Sequence, residues 1–244
     1  MSGHAQFLKA RTGIILAADV PTTDHLRKLA TTCAQVPEVV AIKVGFYLAL
    51  RYGLSPVVRV VKDVCDCPVI YDHQKAATDI PAMGKPFAEV CHDAGVQGVI
   101  FFPHAGPKTL EGFVSAAVDA ELVPIIGLVM THEAYLHSEG GFISDDAPEI
   151  ICKIGIEMGV RSFVLPGTKP DYISKFSNNL LKTIQPATIM MPGIGTQGGS
   201  ILSAFNAADG HNPYAIVGST VYKAPNAKMA LKELAEEINK WVQK

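Results

Sequence analysis

The chain has 244 residues, 48% of them hydrophobic and 18% charged, with a formal net charge of -2. That length buries most of the surface an unfolded chain exposes, so no disulfide staples are needed. The near-neutral balance excludes the basic excess of a nucleic-acid binder while leaving room for a small anionic ligand.

Taken in chain order, β-rich apolar runs occupy residues 15–20 (ILAADV), 39–46 (VVAIKVGF), 67–72 (CPVIYD), 96–102 (VQGVIFF), 122–130 (LVPIIGLVM), 161–166 (RSFVLP), 187–192 (ATIMMP) and 214–219 (YAIVGS). Most are continuously apolar, as parallel strands buried on both faces are. They recur about every 28 residues, near the length of one βα unit. Helix-like stretches lie between them, over 23–35, 81–94, 148–158 and 227–243; the last carries Met229, Leu231, Leu234, Ile238 and Trp241 as a stripe. Gly95 and Gly159 stand where helix C-caps are expected, and 132–147 reads as a loop with one helical turn. Eight such units predict an α/β fold, a (β/α)8 TIM barrel forming a single domain over residues 1–244. An open doubly wound sheet is the rival, and it has no need of eight repeats.

No apolar stretch nears the ~18 residues of a membrane helix, and residues 1–12 hold no signal-peptide core, so no membrane partner is expected. Five cysteines, an odd number without a zinc-type double pair, read as reduced thiols in a cytoplasmic protein.

In a barrel of this kind chemistry gathers at the carboxyl ends of the strands. Those ends hold Asp19, Lys43, then Asp72, His73, Gln74, Lys75 and Asp79, then His104, Thr131 and His132. Asp19 alone reads equally well as a helix N-cap. Lys43 sits in an apolar run, where a buried ammonium demands a carboxylate partner. His104, His132 and His137 lack metal-ligand spacing and read as structural or solvent-facing. After the seventh run comes Pro192-Gly193-Ile194-Gly195-Thr196-Gln197-Gly198-Gly199, and after the eighth Gly218-Ser219. Glycines at this place let backbone N–H groups approach an anion, so phosphate is the expected ligand. No Gly-Lys-Ser/Thr follows, which excludes a Walker loop.

Taken together, ILAADV, AIKVGFYLAL (41–50), YDHQKAATDIP (71–81), GLVMTHEA (127–134), PGTKPD (166–171), MPGIGTQGG (191–199) and AIVGSTVY (215–222) resemble the orotidine 5'-phosphate decarboxylase family, in the same order and on the same strands. The resemblance covers nearly the whole chain. It implies conversion of orotidine 5'-phosphate to UMP without metal or organic cofactor, by a homodimer with composite sites. It implies that Asp19 and Lys43 contact the ribose, that Asp72 lies beside the substrate carboxylate, and that Lys75 donates a proton to pyrimidine C6. Asp79 would reach across the dimer interface, Thr131 would touch the base, and Gln197 would bridge phosphate and base. Pro192, Gly195, Gly218 and Ser219 complete the implied substrate site.

Three departures from the family pattern stand out. Asp72 and Lys75 are separated by two residues and Lys75 and Asp79 by three, one more in each gap than the family has. On a strand an offset of three puts side chains on opposite faces. Either a bulge or loop re-aims one of them, or His73 takes the first acid's place, or Lys75 is not the donor. Ser219 stands where the family has an arginine for phosphate, and Met83 where it has a threonine. The altered spacing keeps open a Mg2+-dependent sugar-phosphate lyase or aldolase of the same superfamily. The missing arginine keeps open a nucleotide-binding barrel without activity.

Overall fold

Strands and helices alternate along the computed structural model, which describes residues 7–74 and 77–243. In order they are β1 (Gly13–Ala17), α1 (Thr23–Cys33), β2 (Val39–Gly45), α2 (Phe46–Tyr52), α3 (Leu54–Lys62), β3 (Val69–Asp72), α4 (Gly84–Asp93), β4 (Gly98–Phe101) and α5 (Pro107–Asp119). The second half adds β5 (Val123–Gly127), α6 (Ala147–Glu157), β6 (Ser162–Val164), α7 (Pro170–Asn178), β7 (Thr188–Pro192), α8 (Ile201–Ala207), β8 (Asn212–Val217), α9 (Ser219–Tyr222) and α10 (Ala227–Val242). Each strand runs parallel to the next, and β8 pairs back onto β1. The sheet therefore closes as a TIM barrel, as the alternation predicts.

The continuous apolar runs have a direct cause. Leu16, Ile42, Tyr71, Phe101 and Ile126 point outward beneath the helices. Their neighbours Ile15, Ala41, Ile70, Ile100 and Ile125 fill the barrel interior. Both faces of each strand are thus covered, and polar alternation never develops. Below the strands, Leu8 belongs to the interior cluster and is 2% exposed. Its segment is tied to β8: the Tyr214 hydroxyl donates to Ala10 O at 2.5 Å, and Thr12 Oγ1 donates to Pro213 O at 2.8 Å.

Helix boundaries follow the expected chemistry. Thr22 caps α1 by accepting from His25 N, and Asn226 caps α10 by accepting from Met229 N. Gly95 and Gly159 follow α4 and α6 at φ +81° and +82°, the left-handed turn that glycine favours. The stretch expected over 81–94 begins as a 3-10 turn, Pro81–Met83, before α4 takes over. At Gly84 that helix meets α5 so closely that a Cβ would lie 2.8 Å from the Gly112 carbonyl oxygen. The loop expected over 132–147 holds one 3-10 turn, His137–Glu139. Helix α2 shows no inward stripe because it buries Leu48 alone and leaves Phe46, Tyr47 and Leu50 outside.

Gly127 ends β5 at an inward position, two residues after Ile125. A Cβ there would overlap the Phe102 ring. Gly127→Ala should destabilise the protein by roughly 1–3 kcal/mol, the range for forced overpacking. Urea denaturation checks this, and an unchanged midpoint would contradict the packing described.

Candidate active site

Side chains on a strand alternate with a period of two, so a residue two beyond an inward one also faces inward. From Ala17 this rule leads to Asp19, from Ala41 to Lys43, from Ile70 to Asp72 and from Ile100 to Phe102. From Met190 it leads to Pro192, and from Ile216 to Gly218. All six of these residues line one cavity at the carboxyl ends of the strands. The ladder sets their heights, with Ala17 opposite Lys43 and Gly45 opposite Asp72. Gly45 gives Asp19 its room, since a Cβ would lie 2.8 Å from Asp19 Oδ1.

The cavity floor is charged. Lys43 is 7% exposed and Asp72 6%. The Lys43 ammonium lies 2.7 Å from Asp72 Oδ2 and 3.7 Å from Asp19 Oδ2, so it has the partners its burial requires. Burial alone would lower the Lys43 pKa, but the Asp72 and Asp19 carboxylates together raise it above the ordinary lysine value. The ammonium therefore stays charged. The other oxygen of Asp72, Oδ1, is buried and has no hydrogen-bond partner among the described residues. Such an acceptor is costly in an interior unless a donor or a ligand meets it.

The rim is neutral. Gly193, Gly195 and Gly198 adopt φ values of +89°, +89° and +91°. They fold the β7 loop onto itself: Gly195 N–H donates to Gly199 O, Gly198 N–H to Gly195 O, and Gly199 N–H to Gly193 O. Thr196 N–H donates to Thr220 Oγ1 at 3.1 Å. Those four N–H groups, expected to face an anion, are engaged inside the protein. Hydroxyls take the exposed place, with Thr196 Oγ1 and Ser219 Oγ hydrogen-bonded at 2.7 Å across the two loops. A Cβ on Gly195 would collide with Thr220 Oγ1, so that glycine serves the join between loops.

Of the residues singled out from sequence, Asp19, Lys43, Asp72, Thr131, Pro192, Gln197, Gly218 and Ser219 line the cavity. Gly195 does not line it. Asp79 also lies elsewhere, in a surface depression with Ile80, Pro81 and Lys108. Lys75 lies outside the described residues. His73 shares a 2.9 Å hydrogen bond with the outward Tyr71 and packs edge-on to Phe87, so it does not stand in for the acid. His104 shares a 2.9 Å hydrogen bond with the Tyr135 hydroxyl, and His132 meets the same ring edge-on. Burial and then the neighbouring His132 lower the His104 pKa, in keeping with a packing role.

Phe102, Met130 and Tyr222 also line the cavity, as do Gln74 and Thr196, to which the sequence alone gave no role. Phe102 was findable by the two-residue period, and Tyr222 by its helical offset of three from Ser219.

The model for the "Orotidine 5'-phosphate decarboxylase / HUMPS family" matches residues 12–234. The chain is 30% identical to orotidine 5'-phosphate decarboxylase of Methanosarcina mazei, over 95% of this chain and 97% of that one. It is 33% identical to the enzyme of that name from Pyrococcus abyssi, over 92% and 98%. Among solved structures it resembles orotidine 5'-monophosphate decarboxylase from Methanocaldococcus jannaschii complexed with the inhibitor BMP. That match has a TM-score of 0.80 at 26% identity, over 93% of this chain and 99% of that one.

Proposed function

The chain belongs to the orotidine 5'-phosphate decarboxylase / HUMPS family, and on that footing we infer that it decarboxylates orotidine 5'-phosphate. It is a carboxy-lyase of pyrimidine biosynthesis, releasing CO2 and leaving UMP. The observation that carries this reading is the buried Lys43–Asp72 pair at the cavity floor, with the second Asp72 oxygen unmet among the described residues.

The chemistry asks for such a floor. Departure of CO2 from C6 leaves an electron pair in the plane of the pyrimidine ring, where the π system cannot accept it. A cation positioned there stabilises the growing charge and then supplies the proton. In this proposal that cation is Lys75. Asp72 Oδ1 faces the departing carboxylate and helps to hold the lysine, Lys43 and Asp19 orient the ribose, and Thr131 and Gln197 contact the base. Lys43 itself is committed to two carboxylates. Its ammonium occupies the space between those acids, which fits a reaction that needs no metal at that point.

The phosphate end would be read by Thr196 and Ser219 hydroxyls rather than by an arginine fork. Ser219→Ala should weaken UMP binding roughly tenfold or more, the size of a hydrogen bond to a charged group. Calorimetry with UMP and uridine checks this, because uridine affinity should not move. Equal weakening for both ligands would place Ser219 away from the phosphate.

The same reading treats residues 1–244 as one barrel domain working as a homodimer in the cytoplasm. Asp79 would complete the partner's site. Exposed Phe46, Tyr47, Leu50, Ile80 and Met83 come just after the neighbouring strands β2 and β3 and offer apolar surface for that contact. The five free cysteines accord with a reducing compartment.

The deciding experiment is turnover of orotidine 5'-phosphate by the purified protein in EDTA, followed by the loss of substrate absorbance. Conversion to UMP is expected. A folded protein that leaves the substrate intact, or that acts on a pentulose or hexulose phosphate only with Mg2+, would overturn the reading.

A further inference from the structure

We propose that Cys65 and Cys67 form a peroxide-oxidisable dithiol at the amino-end face of the barrel, away from the substrate cavity. Both lie in the loop between α3 and β3, beneath the strands. The geometry divides the two sulfurs by role. Cys67 N–H donates to Cys65 Sγ at 3.4 Å, so the Cys65 sulfur acts as an acceptor, a contact that favours its thiolate form. The Cys67 sulfur lies 3.7 Å from the Val39 carbonyl oxygen, to which its S–H donates. The Lys62 ammonium sits over the same loop, 3.1 Å from Cys67 O. Cys65 is buried, whereas Cys67 is half-buried and opens the pair to a water-sized oxidant.

The charge distribution supports this division. The Cys67 thiol, the Cys67 backbone N–H and Lys62 pull the Cys65 thiol down to about 6, against the effects of burial and Asp66. The Cys67 thiol moves the other way, because the Cys65 sulfur lies beside it and it is itself partly buried. The remaining cysteines differ in kind. Burial pushes the thiols of Cys33, Cys91 and Cys152 up to about 12, so they stay protonated and unreactive.

The reaction needs hydrogen peroxide or an alkyl hydroperoxide as oxidant. The Cys65 thiolate attacks a peroxide oxygen and the O–O bond breaks; with hydrogen peroxide the departing hydroxide takes a proton and becomes water. The sulfenic acid so formed is attacked by the Cys67 sulfur. An S–S bond forms, the S–O bond breaks, and a second water carries off the oxygen and the last thiol proton. The two thiols lose two electrons between them, and the peroxide gains both.

The test uses the folded, full-length protein, reduced and then exposed to a few equivalents of hydrogen peroxide. After quenching, it is unfolded in an alkylating reagent and digested with trypsin. The peptide from Asp63 to Lys75 contains both sulfurs and no other cysteine. It should emerge two hydrogens lighter and unlabelled, while peptides bearing Cys33, Cys91 and Cys152 carry full label. Cys65→Ser and Cys67→Ser should each abolish the loss of hydrogens, and Cys33→Ser should not. Full labelling of both sulfurs in the wild-type peptide would overturn the proposal. So would a disulfide joining either of them to Cys33.

Discussion

Replacing Lys75 with alanine should lower kcat for decarboxylation at least ~10²-fold, the loss expected when a proton donor and a stabilising charge vanish together. Binding of UMP should change far less, because the product carries no charge at C6 for the lysine to meet. The split between kcat and product affinity is the informative readout. A group that merely held the loop would disturb both quantities. The expectation rests on ring geometry as much as on kinship. The electron pair left at C6 lies in the ring plane, so resonance cannot disperse it, and a preorganised cation is the remaining stabilising device. Asp72 Oδ1, buried and unmet among the described residues, is the acceptor such a cation would approach. An alanine variant with kcat within about threefold of the parent, on a scale where one proton transfer is commonly worth 10² or more, would remove Lys75 from the chemistry.

The second large effect is on stability. Asp72→Ala removes the nearer carboxylate from a lysine that is 7% exposed and leaves Asp19 3.7 Å away. Removing one partner of a buried ion pair costs about 3–5 kcal/mol, because the remaining charge stays out of water without compensation. For a chain of this size that corresponds to a Tm lower by roughly 6–20 °C. Thermal unfolding followed by circular dichroism would show it. The double replacement Lys43→Met with Asp72→Leu should melt much nearer the parent, since an apolar pair of similar volume can match a buried ion pair. It should also have no decarboxylase activity. A single variant that melts with the parent would mean that water reaches Lys43 freely.

Much of this site was legible in the amino-acid order alone. Asp19, Lys43 and Asp72 stand at strand ends, and a two-residue period aims them inward. Lys43 stood out as a cation within an apolar run. Phe102 obeys the same period, yet an aromatic residue in an apolar run looks like packing. The hydrogen bond between Thr196 and Ser219 had no signature, because the two residues belong to different βα units and only barrel closure brings them together. The glycine run misled in one respect: its N–H groups are engaged within the loop and with Thr220, so the hydroxyls take the exposed place. The unusual spacing from Asp72 to Asp79 has a structural answer in part. Strand β3 stops at Asp72 and Ala77 turns at φ +63°, so strand alternation no longer governs His73, Gln74 or Asp79.

The way Leu8 seals the barrel from beneath also sets how the molecule can be handled. Leu8 lies on the side opposite the substrate opening, within the interior cluster, and the next few residues are fastened to β8. What Leu8 does for the barrel is therefore done on the side away from substrate access. Trimming the chain past Leu8 would unseal the interior from below, and the penalty would fall on thermal endurance before it touched turnover.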